Sequence, residues 1–505
     1  MRVISHERIA ASEEAPIAPA FRRILQEFDR TQVSYCYWKS SARVAAALLG
    51  DTDLDLLVAQ QDQHRATAVL LSEGFKAFPA ASARAHLSIA TFLGHDEESG
   101  RLFHVDLHTW IVIGDTLVKE YRLPWEHIIL TRSTRDMVYP INLLDPVSEA
   151  ILLLTRACLE TRFSDVVALH NRHVLRRKFE ADRKRLAQRI DRAELQDLAV
   201  LMFPPRTAPL VADALWDPHP LDRQHRLRRE MRNSLAPFRA YGISEVRIRS
   251  WWRAATWLAG HFNQMLIHAP RSWNRRVPGG GRIIAVIGVD GSGKSTLVRA
   301  LRAWLAPELD VMPIYFGTGD GRPSLWLLPF KLMIPVCSRL TKPKREDSSN
   351  LSMIKPRSGF AYTAFMLVWA TLAAIEKRGK LRKAFRASQR GMLVLTDRYP
   401  QNENIDFNDG PLLPRLSSAP AFLRRFEATV YQFSSRIRPD LVLRHEISLE
   451  TAARREPSMD RAVIEQRIAE VTRLRFAGAR IANLDSEQPF VDVVRAAKRE
   501  LWRVL

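Results

Sequence analysis

The spacing of apolar residues changes twice along the chain, and each change marks a different kind of structure. From residue 15 to 130, short apolar runs of strand length alternate with helical repeats. Residues 20–28 have helical spacing, and SYCYW (34–38) and LDLLV (54–58) have the alternation or continuous burial of strands. Residues 61–74 return to a helical period, and 87–93 and 103–107 are strand-like again. Such interleaving predicts an α/β domain with a mixed sheet.

Between 131 and 278 the strand signal almost disappears, which predicts a helical connector. Asp145 before Pro146 marks a helix start, since the carboxylate can cap free N–H groups and proline suits the first turn. Residues 172–192 (RHVLRRKFEADRKRLAQRIDR) are basic with helical period, and a solvated helix face is expected. The segment lacks a ladder of aromatic residues for stacking bases, so no nucleic-acid partner is expected. In 248–267, Ile248, Trp251, Trp252, Ala255, Leu258, Phe262, Met265 and Leu266 recur at i, i+3, i+4 and form one apolar stripe. The stripe is expected to pack against a neighbouring domain or, with Arg247, Arg249 and Arg253 beside it, to lie on an anionic membrane surface. PGGG at 278–281 interrupts the pattern as a hinge. From 279 to 505, strands and helices alternate in the manner of a parallel sheet.

Charge narrows the class of partner. Lys plus Arg number 76 and Asp plus Glu 55, so the net charge is 76 − 55 = +21. This favours phosphate-bearing or otherwise anionic partners. Cys36, Cys158 and Cys337 are widely spaced, and they are expected to be reduced thiols of a cytoplasmic protein. The N-terminus has no apolar core of a signal peptide. Two apolar stretches fall short of a membrane span. Residues 325–336 are broken by Pro329, Lys331 and Pro335, and 360–375 are shorter than the roughly 20 residues a span requires. A buried helix is expected at 360–375.

The clearest chemistry lies at 288–296. The apolar strand RIIAVI (282–287) runs into GVDGSGKST, which fits G-x-x-x-x-G-K-[ST], and an amphipathic helix bearing Leu297, Leu301 and Trp304 follows. Glycines 288, 291 and 293 let the backbone wrap, so that N–H groups of Gly288, Asp290, Gly291, Ser292, Gly293, Ser295 and Thr296 can face a polyphosphate. Lys294 brings a cation to the β- and γ-oxygens, and Ser295 brings a hydroxyl for Mg2+. The ligand expected is therefore ATP with Mg2+. A second strand, MLVLT (392–396), ends in Asp397, Arg398 and Tyr399. In a parallel sheet such residues sit where ligands bind, with Asp397 suited to Mg2+ or its water and Arg398 to an acceptor phosphate. A third strand at 439–443 leads to a helix bearing Arg454 and Arg455, with Arg461, Arg467, Arg473 and Arg475 beyond it. Arginines there can close over a transferring phosphoryl group, and Arg454 and Arg455 are the best placed.

With GVDGSGKST, LTDRY, PDLVL and ETAARREP in this order, residues 283–505 resemble the thymidylate kinase group of P-loop nucleoside monophosphate kinases. The resemblance implies that Asp290 approaches the acceptor, that Arg398 holds its phosphate beside Asp397, and that Arg454 and Arg455 begin a lid. The chain departs from the group where the base is read. FGTGDG (316–321) stands in place of a Pro-Gly-Gly-Thr turn, TAFMLVWATLAAI carries no arginine, and PQNENIDFNDG follows DRY. The resemblance therefore does not extend to a dTMP acceptor.

The N-terminal region carries its own candidates. Asp53 and Asp55 stand at i and i+2 of a strand, and HVDLH brings Asp106 and His108 on another. Three carboxylates on neighbouring strands can hold two Mg2+ ions for nucleotidyl transfer, and Ser40 and Ser41 are small hydroxyl residues suited to phosphate. Residues 20–120 resemble the nucleotidyltransferase fold, and more closely a bacterial nucleotidyltransferase-like family with "DlDlLV" and "vDlH" signatures. Lys39 replaces that family's glycine. Proteins resembling this fusion are associated with bacterial surface-polysaccharide gene clusters, which implies a sugar, sugar nucleotide or glycan acceptor.

The expectation is thus an α/β protein in three parts: 15–130 nucleotidyltransferase-like, 131–278 a helical connector, and 279–505 a thymidylate kinase-like P-loop domain. It would be cytoplasmic or peripheral to the inner face of the membrane, with a homodimer left open. Two rivals stand beside the kinase reading: a nucleotidyltransferase with a regulatory P-loop domain, and an ATP-driven assembly protein at a membrane.

Overall fold

The alternation of Tyr35 and Tyr37 with Cys36 and Trp38 explains the architecture of the first half of the chain. In the computed structural model, which describes residues 16–81, 85–86, 88–160, 172–317, 360–404, 410–415 and 419–505, these side chains serve two different cores. Tyr35 and Tyr37 pack with Phe21, Ile24, Leu25 and Phe28 of helix α1 (Pro19–Arg30), whereas Cys36 and Trp38 pack among later helices. A strand covered on both faces is apolar at every position, and period 2 sorts its side chains between the cores. Each large side chain removed from water in this way stabilises the fold by about 1.5–3 kcal/mol.

Strand β1 (Tyr35–Tyr37) belongs to a seven-stranded mixed sheet with β2 (Leu54–Val58), β3 (Lys76–Ala77), β4 (Ile89–His95), β5 (Leu102–His108), β8 (Thr134–Arg135) and β9 (Asn142–Leu143). The strand order is β3-β4-β5-β2-β1-β9-β8, and β6 (Ile111–Ile113) pairs separately with β7 (Tyr121–Leu123). Strands β2 and β5 run parallel with Asp55 opposite Asp106. The helices that follow, including α2 (Pro146–Glu160) and α3 (Arg172–Ala187), share one core with Cys36, Trp38, Leu57 and the β6–β7 hairpin. The N-terminal sheet and the helical segment consequently form one compact unit that reaches Ala259 without Glu97–Gly100, and a second unit comprises Glu97–Gly100 and Gly260–Leu505.

Helix α3 presents the solvated face expected for residues 172–192, with Arg177, Lys178 and Lys184 exposed, but its other face enters the core. Asp182, Arg183, Phe179 and Leu186 are buried. The Arg183 guanidinium donates to the carbonyls of Leu215 at 2.9 Å and Asp217 at 2.7 Å, so one cation of this basic stretch is used inside the protein.

In the second unit five strands are all parallel, in the order β11-β12-β10-β13-β14: β10 (Arg282–Ile287), β11 (Val311–Tyr315), β12 (Leu393–Asp397), β13 (Leu441–Glu446) and β14 (Arg480–Asp485). The α/β class with a parallel sheet read from the sequence is thus present. Because β12 pairs with β10 in the register Val286 opposite Asp397, the P-loop and the DRY residues open at the same edge of the sheet. The apolar stretch that begins at residue 360 is part of a helix, Phe360–Gln389, which buries Trp369, Ala370, Ala373 and Ala374. Among the described residues no helix is long and apolar enough to cross a membrane. Residues 325–336 and Cys337 lie outside the described residues. Cys36 and Cys158 are buried free thiols, and burial pushes the Cys158 thiol up to about 12.

Candidate functional site

The loop that follows β10 turns back on itself through glycine. Gly291 and Gly293 adopt φ +74° and +92°, a region that L side chains avoid, and Gly293 leads directly into helix α4 (Lys294–Leu305). At Gly288 the constraint is space, since a Cβ there would lie 2.6 Å from Ser292 Oγ and 2.9 Å from His445 Cβ. The result is a bend of backbone ending at a helix N-terminus, the geometry that concentrates N–H dipoles on an anion.

Around this bend the predicted residues converge. Lys294 is buried, with Nζ donating to the Val289 carbonyl at 2.6 Å and lying 3.9 Å from Asp290 Oδ1. Ser295 Oγ donates to Asp397 Oδ2 at 2.5 Å. Asp397 is buried, and its other oxygen, Oδ1, has no hydrogen-bond partner among the described residues. A hydroxyl and a carboxylate in contact, with a further carboxylate oxygen to spare, suit a hard divalent cation such as Mg2+. Thr296 accepts a contact from Arg299 Nη2 at 3.3 Å on the outer side of the helix.

Asp290 is the electrostatic centre of the site. Its Oδ1 accepts from Arg398 Nη2 at 2.7 Å and its Oδ2 from Arg467 Nη1 at 2.7 Å. Burial pushes the Asp290 carboxyl up, but the charges of Arg398, Lys294 and Arg467 outweigh it and hold the group below the usual carboxylate value. Arg398 itself sits at φ +67°, an uncommon conformation for a long side chain and one that occurs most at functional sites. Arg467 belongs to helix α6 (Arg461–Arg473), and the short helix α5 (Leu449–Arg455) ends at Arg454 and Arg455. They diverge. Arg455 reaches the loop, donating to the Gly291 carbonyl at 3.3 Å, whereas Arg454 contacts Thr451 Oγ1 on its own helix at 3.3 Å. His445, at the end of β13, donates to or accepts from Ser486 Oγ at 2.7 Å, and burial together with Lys294 and Arg455 pushes its imidazole down to about 4.

The N-terminal carboxylates gather in a different way from the trio expected. Asp106 stands between two clusters, Asp53–His104–Asp106 and Asp55–Asp106–His108, and in each the ligand atoms lie within 4.8 Å of one another. His104 Nδ1 lies 3.2 Å from Asp53 Oδ1 and its Nε2 3.2 Å from Asp106 Oδ1, while His108 Nε2 lies 3.1 Å from Asp55 Oδ1. Burial alone would lower His104, but the two aspartates raise it to about 10. His108 is fully buried and is held down to about 4. Each cluster therefore pairs two carboxylates with an imidazole, a mixed oxygen and nitrogen donor set. Lys39 Nζ is 3.6 Å from Asp55.

Ser40 and Ser41 take part in a hydrogen-bond network within the protein. Ser40 Oγ donates to Asp182 at 2.8 Å, and Ser41 Oγ donates to Glu149 at 2.8 Å with the Ser41 amide 3.1 Å from the same carboxylate. Arg185 binds both Glu149 and Ser41. The partners come from α2 and α3, more than a hundred residues away, which no local spacing reveals.

No family model matches the chain. It is 32% identical over 229 residues to the uncharacterized ATP-binding protein YghS of Escherichia coli K12, covering 44% of this chain and 94% of YghS. It is 31% identical over 229 residues to the uncharacterized ATP-binding protein YghR of the same strain, covering 44% of this chain and 86% of YghR. The chain belongs to the YghS/YghR family.

For this member of the YghS/YghR family, two groups at the sites escaped the sequence reading. Arg467 stood among several arginines with nothing to single it out. His104 flanks Asp106 at i−2, so strand periodicity alone places the two side chains on one face. That signal was present and unused.

Proposed function

We propose that this chain is an ATP-dependent phosphotransferase that resembles thymidylate kinase in its phosphate machinery. The observation that carries the reading is the meeting of Lys294, the Ser295–Asp397 pair and the Asp290–Arg398–Arg467 cluster around one glycine-rich bend. Membership in a family whose named proteins are ATP-binding supports the nucleotide.

In this reading the loop amides and Lys294 hold the β- and γ-phosphates of ATP. Ser295 and Asp397 hold Mg2+, which neutralises phosphate charge when bound. Arg398 holds the acceptor, with Asp290 orienting its guanidinium, and Arg455 closes on the loop from α5. An acceptor oxygen forms a bond to the γ-phosphorus as the bond to the β–γ bridging oxygen breaks. ADP leaves, and the acceptor proton passes to solvent. Catalysis consists of positioning and charge neutralisation. The acceptor class is a nucleoside monophosphate, a sugar or a glycan, the latter two consistent with a role in surface-polysaccharide synthesis.

The test is transfer of label from γ-labelled ATP across panels of nucleoside monophosphates, sugars and glycans. Labelled product with the wild-type chain and none with Lys294→Ala supports the reading. ATP bound without any labelled acceptor overturns it.

One observation favours a second reading, in which the N-terminal carboxylates perform nucleotidyl transfer and the P-loop regulates: Asp55 and Asp106 lie directly opposite on adjacent parallel strands. Turnover abolished by Asp55→Asn but kept by Lys294→Ala selects that reading.

A further inference from the structure

The helix Ile243–Phe262 is fastened to the first unit by one side only. Val246 and Ser250 are buried, and Arg253 donates to the Leu117 carbonyl and, at 3.1 Å, to the Ala85 carbonyl. At 100° per residue these three positions share a face. The apolar stripe of Ile248, Trp251, Trp252, Leu258 and Phe262 occupies the opposite face, and it is exposed: 71% at Ile248, 68% at Trp251 and 67% at Trp252. Five large apolar side chains left in water on one helix face mark a surface that something covers.

We propose that this face docks on an anionic membrane surface, with the helix lying in the plane of the interface. Three observations select this occupant. The helix carries Glu245, Arg247, Arg249 and Arg253 within its length and so cannot span. Its exposed apolar residues include two adjacent tryptophans, whose indoles bury a ring among acyl chains while keeping the N–H at headgroup level. Arg247 and Arg249 flank the stripe on a chain of net charge +21. A second copy of the chain brings like charge to like charge, whereas anionic lipid supplies the opposite sign. This inference does not rest on the phosphotransferase reading, and it holds whichever reaction the site performs.

The experiment uses the full chain with vesicles of phosphatidylcholine alone and of phosphatidylcholine mixed with phosphatidylglycerol. The protein is expected to sediment with the mixed vesicles at low salt, less with the neutral ones, and less as salt is raised. Replacing both residues, Trp251→Ser and Trp252→Ser, is expected to lower the bound fraction at least about tenfold. Circular dichroism and the melting temperature should stay unchanged, because the two side chains support no core. Brominated phosphatidylcholine in the mixed vesicles should quench the tryptophan emission of the wild-type chain, a readout that needs no variant. The proposal is overturned if the wild type fails to sediment with the mixed vesicles, if the double variant sediments equally well, or if bound wild type is not quenched. It is also overturned if light scattering finds a dimer that the double substitution dissociates and no vesicle binding accompanies it.

Discussion

Arg467 and Asp290 are 177 residues apart in sequence and 2.7 Å apart in space. Their ion pair ties a helix near the C-terminus to the phosphate-binding loop, and Arg398 completes a fork on the same carboxylate. One aspartate thus sets the position of two guanidiniums, which bears on stability as well as on binding.

Replacing Asp290 by Asn keeps its shape and removes its charge, leaving Arg398, Arg467 and Lys294 facing one another. The expected cost is about 2 kcal/mol, below that of a fully buried pair because Asp290 retains some solvent contact. The pH dependence follows from the direction of the shift. Asp290 is held below its ordinary value of 3.8, so its contribution is complete above pH 3.8 and is lost only as pH falls further, through the folded-state value. Denaturant midpoints of wild type and Asp290→Asn should differ from neutral pH down to that point and converge below it. A gap that persists unchanged in stronger acid contradicts the assignment.

The contact between Ser295 and Asp397 predicts how magnesium and nucleotide are coupled. Ser295→Ala removes the hydroxyl that faces the carboxylate, and Asp397→Asn removes the charge. Either should weaken ATP binding in the presence of Mg2+ by about tenfold or more, with little change in EDTA. Calorimetric titration with and without the metal measures both. Equal losses in the two conditions would mean that the pair serves folding alone.

Much of the C-terminal site was legible because its chemistry is local. The glycines, Lys294 and Ser295 lie within nine residues, and the end of an apolar strand placed Asp397 and Arg398 beside them. What was not legible depends on distant packing. Arg467 is indistinguishable from Arg461 or Arg473 until α6 is laid against the loop. Arg183 is indistinguishable from the solvated cations of α3 until the carbonyls of Leu215 and Asp217 arrive to receive it. At Trp251 and Trp252 the apolar stripe is legible in the sequence, whereas the exposure of the two indoles is not. Periodicity identifies a face and says nothing of what lies against it.

His445 supplies a prediction in a different pH range. Its imidazole is buried beside Ser486 and is pushed down to about 4, against 6.5 in the unfolded chain. The unfolded state then binds the extra proton between those values. Its contribution is complete above pH 6.5 and is lost as pH falls to about 4, and the full difference is worth about 3 kcal/mol. His445→Gln keeps a hydrogen-bonding side chain that does not titrate. The variant should show a shallower loss of stability between pH 6.5 and 4, measured as the denaturant midpoint of the full chain. Parallel curves for the two proteins would place the responsible group elsewhere.

Glu149 tests whether the N-terminal serines are structural. Its carboxylate is buried and receives the Ser41 amide and hydroxyl together with the Arg185 guanidinium. Glu149→Ala leaves a guanidinium, a hydroxyl and an amide without their acceptor, at an expected cost of about 3 kcal/mol. Ser41→Ala removes one donor and leaves the Arg185–Glu149 pair, so about 1 kcal/mol is expected. The order of the two losses, read from thermal unfolding followed by near-ultraviolet circular dichroism, distinguishes a structural network from a phosphate site. Were Ser41 instead reserved for a phosphate, its removal would leave the melting temperature of the free protein unchanged and would weaken nucleotide binding. Running both variants with and without nucleotide separates these outcomes, because the network predicts a loss of stability that nucleotide does not alter.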